Sequence, residues 1–530
     1  MKKIFYISVL SVALMFGFSS CKKYLDINAN PNSATTSTPE LMLSQSLTAT
    51  ANVVNSYNTM GAQLVGYQAN AGGYGGFGSS VTYSFGNGDY QACWNNTFDN
   101  LTDYQWIITH TNGNLDYGFY NGAAKIMKAF DYQLLVDTYN DVPYSNAFLE
   151  KANLTPSYDK AEAVYDSIYA LLDDALKSIN DAQADLANNA TSNVKEFKTN
   201  DVLFSGNMDD WKRLANTIKL RLAVRARGVL TFNNSYDQVG FLNKDAIVNP
   251  GYQVANGKQN PEYNTWGYTY TATAANRAWM PSKFIAAFYD GKKLEDYRGY
   301  AIYNGFGGSS FGTNQLGFES NSTPSAPSAG SWIYTGSDKT TANNIGVLKG
   351  PSAGMPIFSL AEADFLQAEA VLVGGLGVTG DDSVYFYNGI LDSYKYLYRL
   401  ADGTYDLTSW DPEADYQAYL DLNPNSYLVH YELATTDAQR LEAIITQQYV
   451  ALNMITSDQS WNDYRRTGYP KIVNGSTGAT STFASLQSIS SHADKLPTRI
   501  LYPTSELSYN NANVPNGINQ FTSKIFWDPE

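Results

Sequence analysis

Apolar residues recur at helical spacing along most of this 530-residue chain, and the pattern fails over one long stretch, 233–353, and again over a loop-rich tail, 470–530. Val164, Ile168, Leu171, Leu172, Ala175 and Ile179 mark one stripe. Ile126 or Met127, with Phe130 and Leu134, marks another. Trp211, Leu214, Ile218 and Leu222 mark a third, with Lys212, Arg213 and Lys219 off it. Spacings of three and four put such residues on one helix face, which must bury against a neighbour. The same signal covers 39–67 and 91–139, and it resumes over 361–373, 383–400, 412–420 and 436–454. Asp159 and Glu162 stand at capping spacing just before the 164–179 stripe. Helix, glycine turn and helix in units of ~34 residues point to tetratricopeptide-like packing, with repeats too degenerate to phase. No long strand-turn-strand run occurs. The expected class is mainly α, a tetratricopeptide-like helical scaffold with large irregular, loop-rich insertions.

The interruptions are rich in glycine and aromatics. Gly72 to Gly78 reads GGYGGFG, and 233–353 is dense in Gly, Asn, Ser, Thr and Tyr around Tyr252, Trp266, Trp279 and Trp332. Helix within the second region is limited to short pieces such as 281–288. Loops this long are functional or disordered, and their aromatic content argues for order. Tyr, Phe and Trp number 41, 24 and 9, together 14% of the chain against 16% charged residues. Tyrosine offers rigid contact area with a polar tip, which suits flat-faced polar ligands such as sugars or peptides as well as the outer layers of a helical core.

The start of the chain reads as a lipoprotein signal. Lys2 and Lys3 precede an apolar run from Ile4 to Phe18, then Ser19, Ser20 and Cys21. The run is too short to span a bilayer, which needs ~20 residues. The expectation is a signal peptide over 1–20, a lipidated Cys21, a polar tether over 21–38 and a single domain over 39–530. The alternative is an ordinary secretory signal that happens to end near a cysteine. With Cys21 acylated, Cys93 stands alone and no internal disulfide can form. No second long apolar run predicts a transmembrane helix.

A net charge of −15 argues against nucleic acid as a partner. Gly350-Pro351-Ser352-Ala353-Gly354 matches G-x-S-x-G, with His430 and His492 downstream. A nucleophile elbow needs a strand before that serine and a helix directly after it, and Pro356 stands in the way. Two G-x-G-x-x-G matches, at 73–78 and 375–380, open no helix after a credible strand. His110, His430 and His492 are too scattered for a metal site. Asp402, Asp406, Asp411, Glu413 and Asp415 lack calcium-loop spacing and read as a solvated acidic loop. Many acid pairs exist for glycoside hydrolysis, and spacing singles out none. No catalytic residue, cofactor or metal is expected.

Several segments together resemble one known family. They are CKKYLDIN from Cys21, then Asn30-Pro31-Asn32, DTYNDVPYSNAF from Asp137 and WKRLANTIKLRLAVRAR from Trp211. AEADFLQAEA from Ala361, WNDYRRTGYP from Trp461 and PTRILYPTSELSYNNANV from Pro497 complete the series. In this order they resemble the SusD/RagB family of nutrient-binding outer-membrane lipoproteins of Bacteroidetes, in its SusD-like branch. The resemblance implies a lipid-anchored cell-surface protein that is not an enzyme. It implies capture of oligosaccharides, or of peptides in some members, for a partner SusC-like TonB-dependent transporter. The shared blocks read as scaffold or docking surface, with Arg465 and Arg466 as a structural ion pair or as ligand contacts.

A sugar ring has an apolar face and peripheral hydroxyls, so a rigid aromatic platform with nearby hydrogen-bonding groups is enough to hold it. The expected ligand residues are the aromatics set in glycine- and asparagine-rich loops. They are Tyr74, Phe77, Tyr83 and Trp94 with Asn95 (and Asn96) in the first region. In the second they are Trp266, Tyr268, Tyr270, Trp279 and Trp332. Core packing or loop anchoring is the competing role for each, and Trp94 also sits where a helix begins.

Overall fold

The computed structural model describes residues 37–325, 331–336, 339 and 343–529. Cys21, the expected signal 1–20 and most of the expected tether lie outside the described residues. The chain enters α1 (Pro39–Leu64) through Thr38, whose hydroxyl receives the Leu41 amide, with proline in the first helical turn. There follow α2 (Gln91–Thr111), α3 (Gly118–Tyr139), α4 (Ala161–Asn188) and α5 (Met208–Arg225). After the irregular region come α6 (Leu360–Val373), α7 (Asp382–Tyr398), α8 (Pro412–Leu422), α9 (Asp437–Ala451) and α10 (Ser457–Thr467). Consecutive helices pack pairwise from α1 to α5 and from α6 to α8. Helix α6 also packs on α9, α5 joins α6, and α10 closes against α1. This is the mainly helical, tetratricopeptide-like scaffold expected.

Burial goes further than stripes imply. Every residue of α3 except Lys128 is buried. On α5, Lys212 and Lys219, which fall off the apolar stripe, are only 6% and 1% exposed. The reason is position: α5 packs on α3, α4 and α6 together, so little of it is left for water. Its cations are therefore paired inside. Arg221 reaches Glu362 on α6 at 3.0 Å and Gln133 on α3 at 2.9 Å. Arg225 binds Asp137 on α3 and Gln459 on α10.

The cap on α4 differs from the sequence expectation. The Ala161 amide is received by Asp141 at 3.1 Å, not by Asp159. Asp159 instead accepts the Tyr144 and Ser145 amides, each at 2.9 Å, and pairs with Val142 across a backbone bridge. The turn after α3 lies under the start of α4 and supplies its carboxylate from there.

Helix α10 has no apolar stripe, yet its first nine residues are buried. Partners on five other helices, counting Arg225 of α5, pair most of its polar groups. Asn58 receives the Ser457 amide and hydroxyl at 3.0 and 2.6 Å, and Asp463 accepts from Gln448 at 2.7 Å. Arg466 forms a fork with Glu369 at 2.5 and 2.8 Å. Arg465 stacks 3.6 Å from the Trp461 ring and 5.0 Å from that of Trp527, and it donates to the Thr498 and Asp137 carbonyls. Both arginines are thus held structurally.

Among the described residues four short strands frame the irregular region: β1 (Gln68–Asn70), β2 (Ala246–Val248), β3 (Trp279–Pro281) and β4 (Met355–Phe358). The antiparallel pair β2–β4 ties its beginning to its end. Asparagine side chains do much of what a sheet ladder would. Asn260 caps the short helix 261–266 through the Tyr263 amide and donates to the Ala353 and Gly354 carbonyls. The Lys349 ammonium is buried against the Tyr396, Leu397 and Arg399 carbonyls at the end of α7, and burial lowers its pKa well below the usual lysine range. The region is a folded part of the molecule, anchored at both ends to the scaffold.

Candidate ligand-binding face

Strand β1 leaves α1 after one short turn and pairs antiparallel with β3, placing Asn70 opposite Trp279, Ala69 opposite Met280 and Gln68 opposite Pro281. The loop after β1 is pinned at its foot. The Gly72 amide donates to the Pro324 carbonyl at 2.9 Å, and a Cβ on Gly72 would lie 2.1 Å from the Thr323 carbonyl oxygen. Only glycine permits that approach. At the crest, Gly75 and Gly76 have nothing near them, and Tyr74 is 44% exposed. Phe77 folds back so that its ring meets Trp279 edge-on, with centroids 5.4 Å apart and planes at 73°.

A small hairpin leads into β3. Tyr268 bridges Ala274, the Thr269 amide donates to the Thr273 carbonyl, and Ala272 adopts φ 57° at the turn. Tyr270 stands at the tip, 44% exposed, beside hydroxyls of Thr269, Thr271 and Thr273 that bond one to the next. Tyr268 is buried beneath the Lys339 ammonium, 4.8 Å from its ring centre.

Phe318, which is not among the expected ligand residues, joins this face. It is 41% exposed, and its carbonyl receives Asn70 Nδ2 at 2.9 Å and Asn314 Nδ2 at 3.0 Å. The available signal was a glycine before an aromatic: Gly317-Phe318 repeats the pattern of Gly73-Tyr74 and Gly76-Phe77.

Trp266, Trp279 and Trp332 line one small cavity of about 10 Å³ under the ribbon. Trp279 is half-buried, while Trp266 and Trp332 are buried. Trp332 forms a satellite core with Ala71 and Met280. Its ring lies so close to Gly312 that a Cβ there would sit 2.5 Å from it.

The remaining expected residues are elsewhere. Tyr83 is fully buried, and its hydroxyl accepts the Ser485 amide at 3.2 Å. Burial raises its phenol pKa. Trp94 lies on α2, not in a loop, packed among Phe98, Tyr139, Tyr158 and Tyr502 with centroids 4.8–6.1 Å away. Asn95 and Asn96 are exposed on the same helix, where Asn95 accepts from Ser505 and Asn96 donates to Ser56. Helix geometry turns Trp94 inward and its two successors outward.

Ser352 lies in a turn that leads into β4, the reverse of strand, nucleophile and helix. His492 is held by Asp494 at 2.7 Å, and His430 by Glu432 and the Leu420 carbonyl. The acidic run serves local structure. Asp402 and Asp406 accept amides two residues ahead, Asp411 caps α8, and Asp415 accepts from Tyr398. Among the described residues no group of three metal-ligating side chains forms, and no helix is long and apolar enough to cross a membrane.

The fold and this face together define a helical scaffold that presents aromatic side chains on ordered loops. Over residues 31–503 the chain matches, and belongs to, a SusD-like family described as starch-binding and associating with the outer membrane. Solved structures agree in fold. A SusD homolog from Bacteroides fragilis superposes with a TM-score of 0.65 at 19% identity, covering 93% of this chain and 99% of its own. A SusD/RagB family protein from Bacteroides thetaiotaomicron gives 0.67 at 16% identity, with the same coverage of both chains. A chitin-binding SusD homolog from Flavobacterium johnsoniae gives 0.64 at 20% identity, covering 91% of this chain and 98% of its own. No curated protein matches in sequence.

Proposed function

We propose that this protein captures oligosaccharides at the cell surface and passes them to a SusC-like TonB-dependent outer-membrane transporter, held to the membrane by acyl chains on Cys21. In this reading 1–20 is the signal, 21–38 the tether and 39–530 the binding body. The observation that carries the proposal is the partly buried Phe77–Trp279 pair, formed by the loop after β1 and by β3, in a chain of a family described as starch-binding. Tyr74 shares the loop of Phe77, Tyr270 tips the hairpin before β3, and Phe318 is tethered to β1. Aromatic faces match the apolar face of a sugar, and hydroxyls, asparagines and loop carbonyls nearby match its rim. Capture needs only this platform. The Ser352 turn lacks the arrangement a hydrolase would use.

Calorimetry of the protein with maltohexaose, chitohexaose and a peptide panel, with product analysis of each mixture, tests the proposal. Saturable sugar binding without cleavage is expected, weakened about 30-fold by Trp279→Ala, the effect of losing one central anchor. Binding confined to peptides would move the ligand class. Released sugars, lost in Ser352→Ala, would replace capture with hydrolysis.

A further inference from the structure

The cavity beneath Trp279 has an uneven set of polar walls. Trp266 and Trp332 are only 3% and 4% exposed, and neither indole N–H has a partner among the described residues. Gln68, 3% exposed, also lines the cavity, and its Oε1 is unpartnered. Its Nε2 donates to the Met454 sulfur at 3.2 Å. A thioether has no proton to give, so this contact orients the amide and leaves the carbonyl oxygen as the free group. Met280, Pro281 and Ile333 add apolar wall, and Tyr67, Asn276, Tyr303 and Ser331 bring further polar side chains to the lining. Buried polar groups in folded proteins are nearly always paired, and three left over in one cavity call for an occupant.

Two donors and one acceptor define that occupant. A peptide carbonyl would take both indole protons but give nothing to Gln68. An ammonium or amide N–H would serve Gln68 and leave both indoles unpaired. Water brings two protons and pairs all three groups when its second proton meets another lining oxygen, so a resident water is the occupant that the affinity comparison below must separate from a sugar hydroxyl. An alcohol brings one proton and two lone pairs, which pair all three groups.

We propose that this cavity is a hydroxyl subsite of the capture face, entered by the primary hydroxyl of a sugar stacked on the aromatic platform. This rests on the oligosaccharide reading above and deepens it. The oxygen accepts from Trp266 Nε1 and Trp332 Nε1 and donates to Gln68 Oε1. A hydroxymethyl arm is the fitting donor because it rotates out of the ring plane, whereas the secondary hydroxyls stay near that plane. At about 10 Å³ the cavity has room for roughly one oxygen. The carbon arm enters past Trp279. It is the one tryptophan of the three that is not fully buried. Trp332 stays fixed against Gly312 and through its carbonyl, which receives the Asn304 amide at 3.0 Å, so its N–H is set in advance.

The test compares maltohexaose, chitohexaose and cellohexaose with the 6-deoxy analogue of whichever binds best. Calorimetry is run on the wild type, Trp266→Phe, Trp332→Phe and Trp279→Ala, with thermal melts to confirm folding. The indole N–H resonances are followed by NMR in parallel. The wild type is expected to bind the parent sugar at least tenfold more tightly than its 6-deoxy form. Each phenylalanine variant should lose roughly tenfold for the parent and little for the analogue, since it removes one hydrogen bond and keeps the ring. The Trp266 and Trp332 resonances should move on titration. If sugars bind and Trp279→Ala weakens them, but the phenylalanine variants discriminate against the 6-deoxy form as the wild type does, the subsite is overturned and capture stands. Melting points that fall in those variants with binding unchanged would mean the cavity serves only the fold, which also overturns it. If no oligosaccharide binds the wild type, the capture reading fails and the subsite with it.

Discussion

Phe77 and Trp279 meet edge to face at 5.4 Å although 202 positions separate them in the chain, 279 − 77. The β1–β3 pairing makes the contact possible by setting Asn70 beside Trp279. Such a contact contributes ~0.5–1.5 kcal/mol beyond area burial. Trp279→Ala and Phe77→Ala should therefore weaken sugar binding non-additively, with the double variant little worse than Trp279→Ala alone. Calorimetry on the four proteins checks this, and strictly additive losses would show that the rings act independently.

Arg221 and Glu362 lie 3.0 Å apart with side chains 1% and 0% exposed. Removing one partner strands the other in the core. Arg221→Met should cost about 3–5 kcal/mol in urea unfolding, and adding Glu362→Leu should recover much of it. A double variant as unstable as the single would contradict this.

Asp364 on α6 faces Asp392 on α7. Burial, then the shared proton and repulsion with Asp392, raise the Asp364 carboxyl from 3.8 to about 9, with Asp245 adding to the rise and Lys395 opposing it. The folded chain keeps a proton that the unfolded chain releases. This contribution to stability is full below the unfolded value and is lost as pH rises through the folded one. Asp364→Asn should melt like the wild type near pH 4 and above it near pH 9, the two ends of the range from 3.8 to about 9. A melting difference that stays flat across the range would refute the shared proton.

Tyr83 and Trp94 provide the contrast with the ligand face. Tyr83→Phe removes the acceptor of the Ser485 amide and should cost about 1 kcal/mol of stability with sugar affinity unchanged. Trp94→Phe should likewise lower the melting point alone. A loss of affinity at unchanged stability in either variant would return that residue to the binding face.

Helices were legible wherever one face is apolar. The expected 361–373 segment is α6 at Leu360–Val373, and the expected 412–420 segment is α8 at Pro412–Leu422. Helix α10 was not, because Ser457 to Thr467 carries polar groups on every side and is buried by pairing with other helices rather than by apolar burial. The α4 cap was misassigned because Asp141 is 20 residues from Ala161 in sequence and beside it in space. Lys212 and Lys219 fall off the apolar stripe and are nonetheless buried, because a single chain does not show how many neighbours a helix has.

Among the expected ligand residues, chemistry was readable and exposure was not. By itself the sequence determined a helical scaffold broken by aromatic, glycine-rich loops, and its ordered segments pointed to the family. Tertiary structure decided which aromatics face outward. Strand pairing set Trp279 against Phe77, glycine contacts held the 72–78 loop open, and helix α2 turned Trp94 into the core. Local spacing records the period of a helix or strand, but burial depends on what the rest of the chain packs against it.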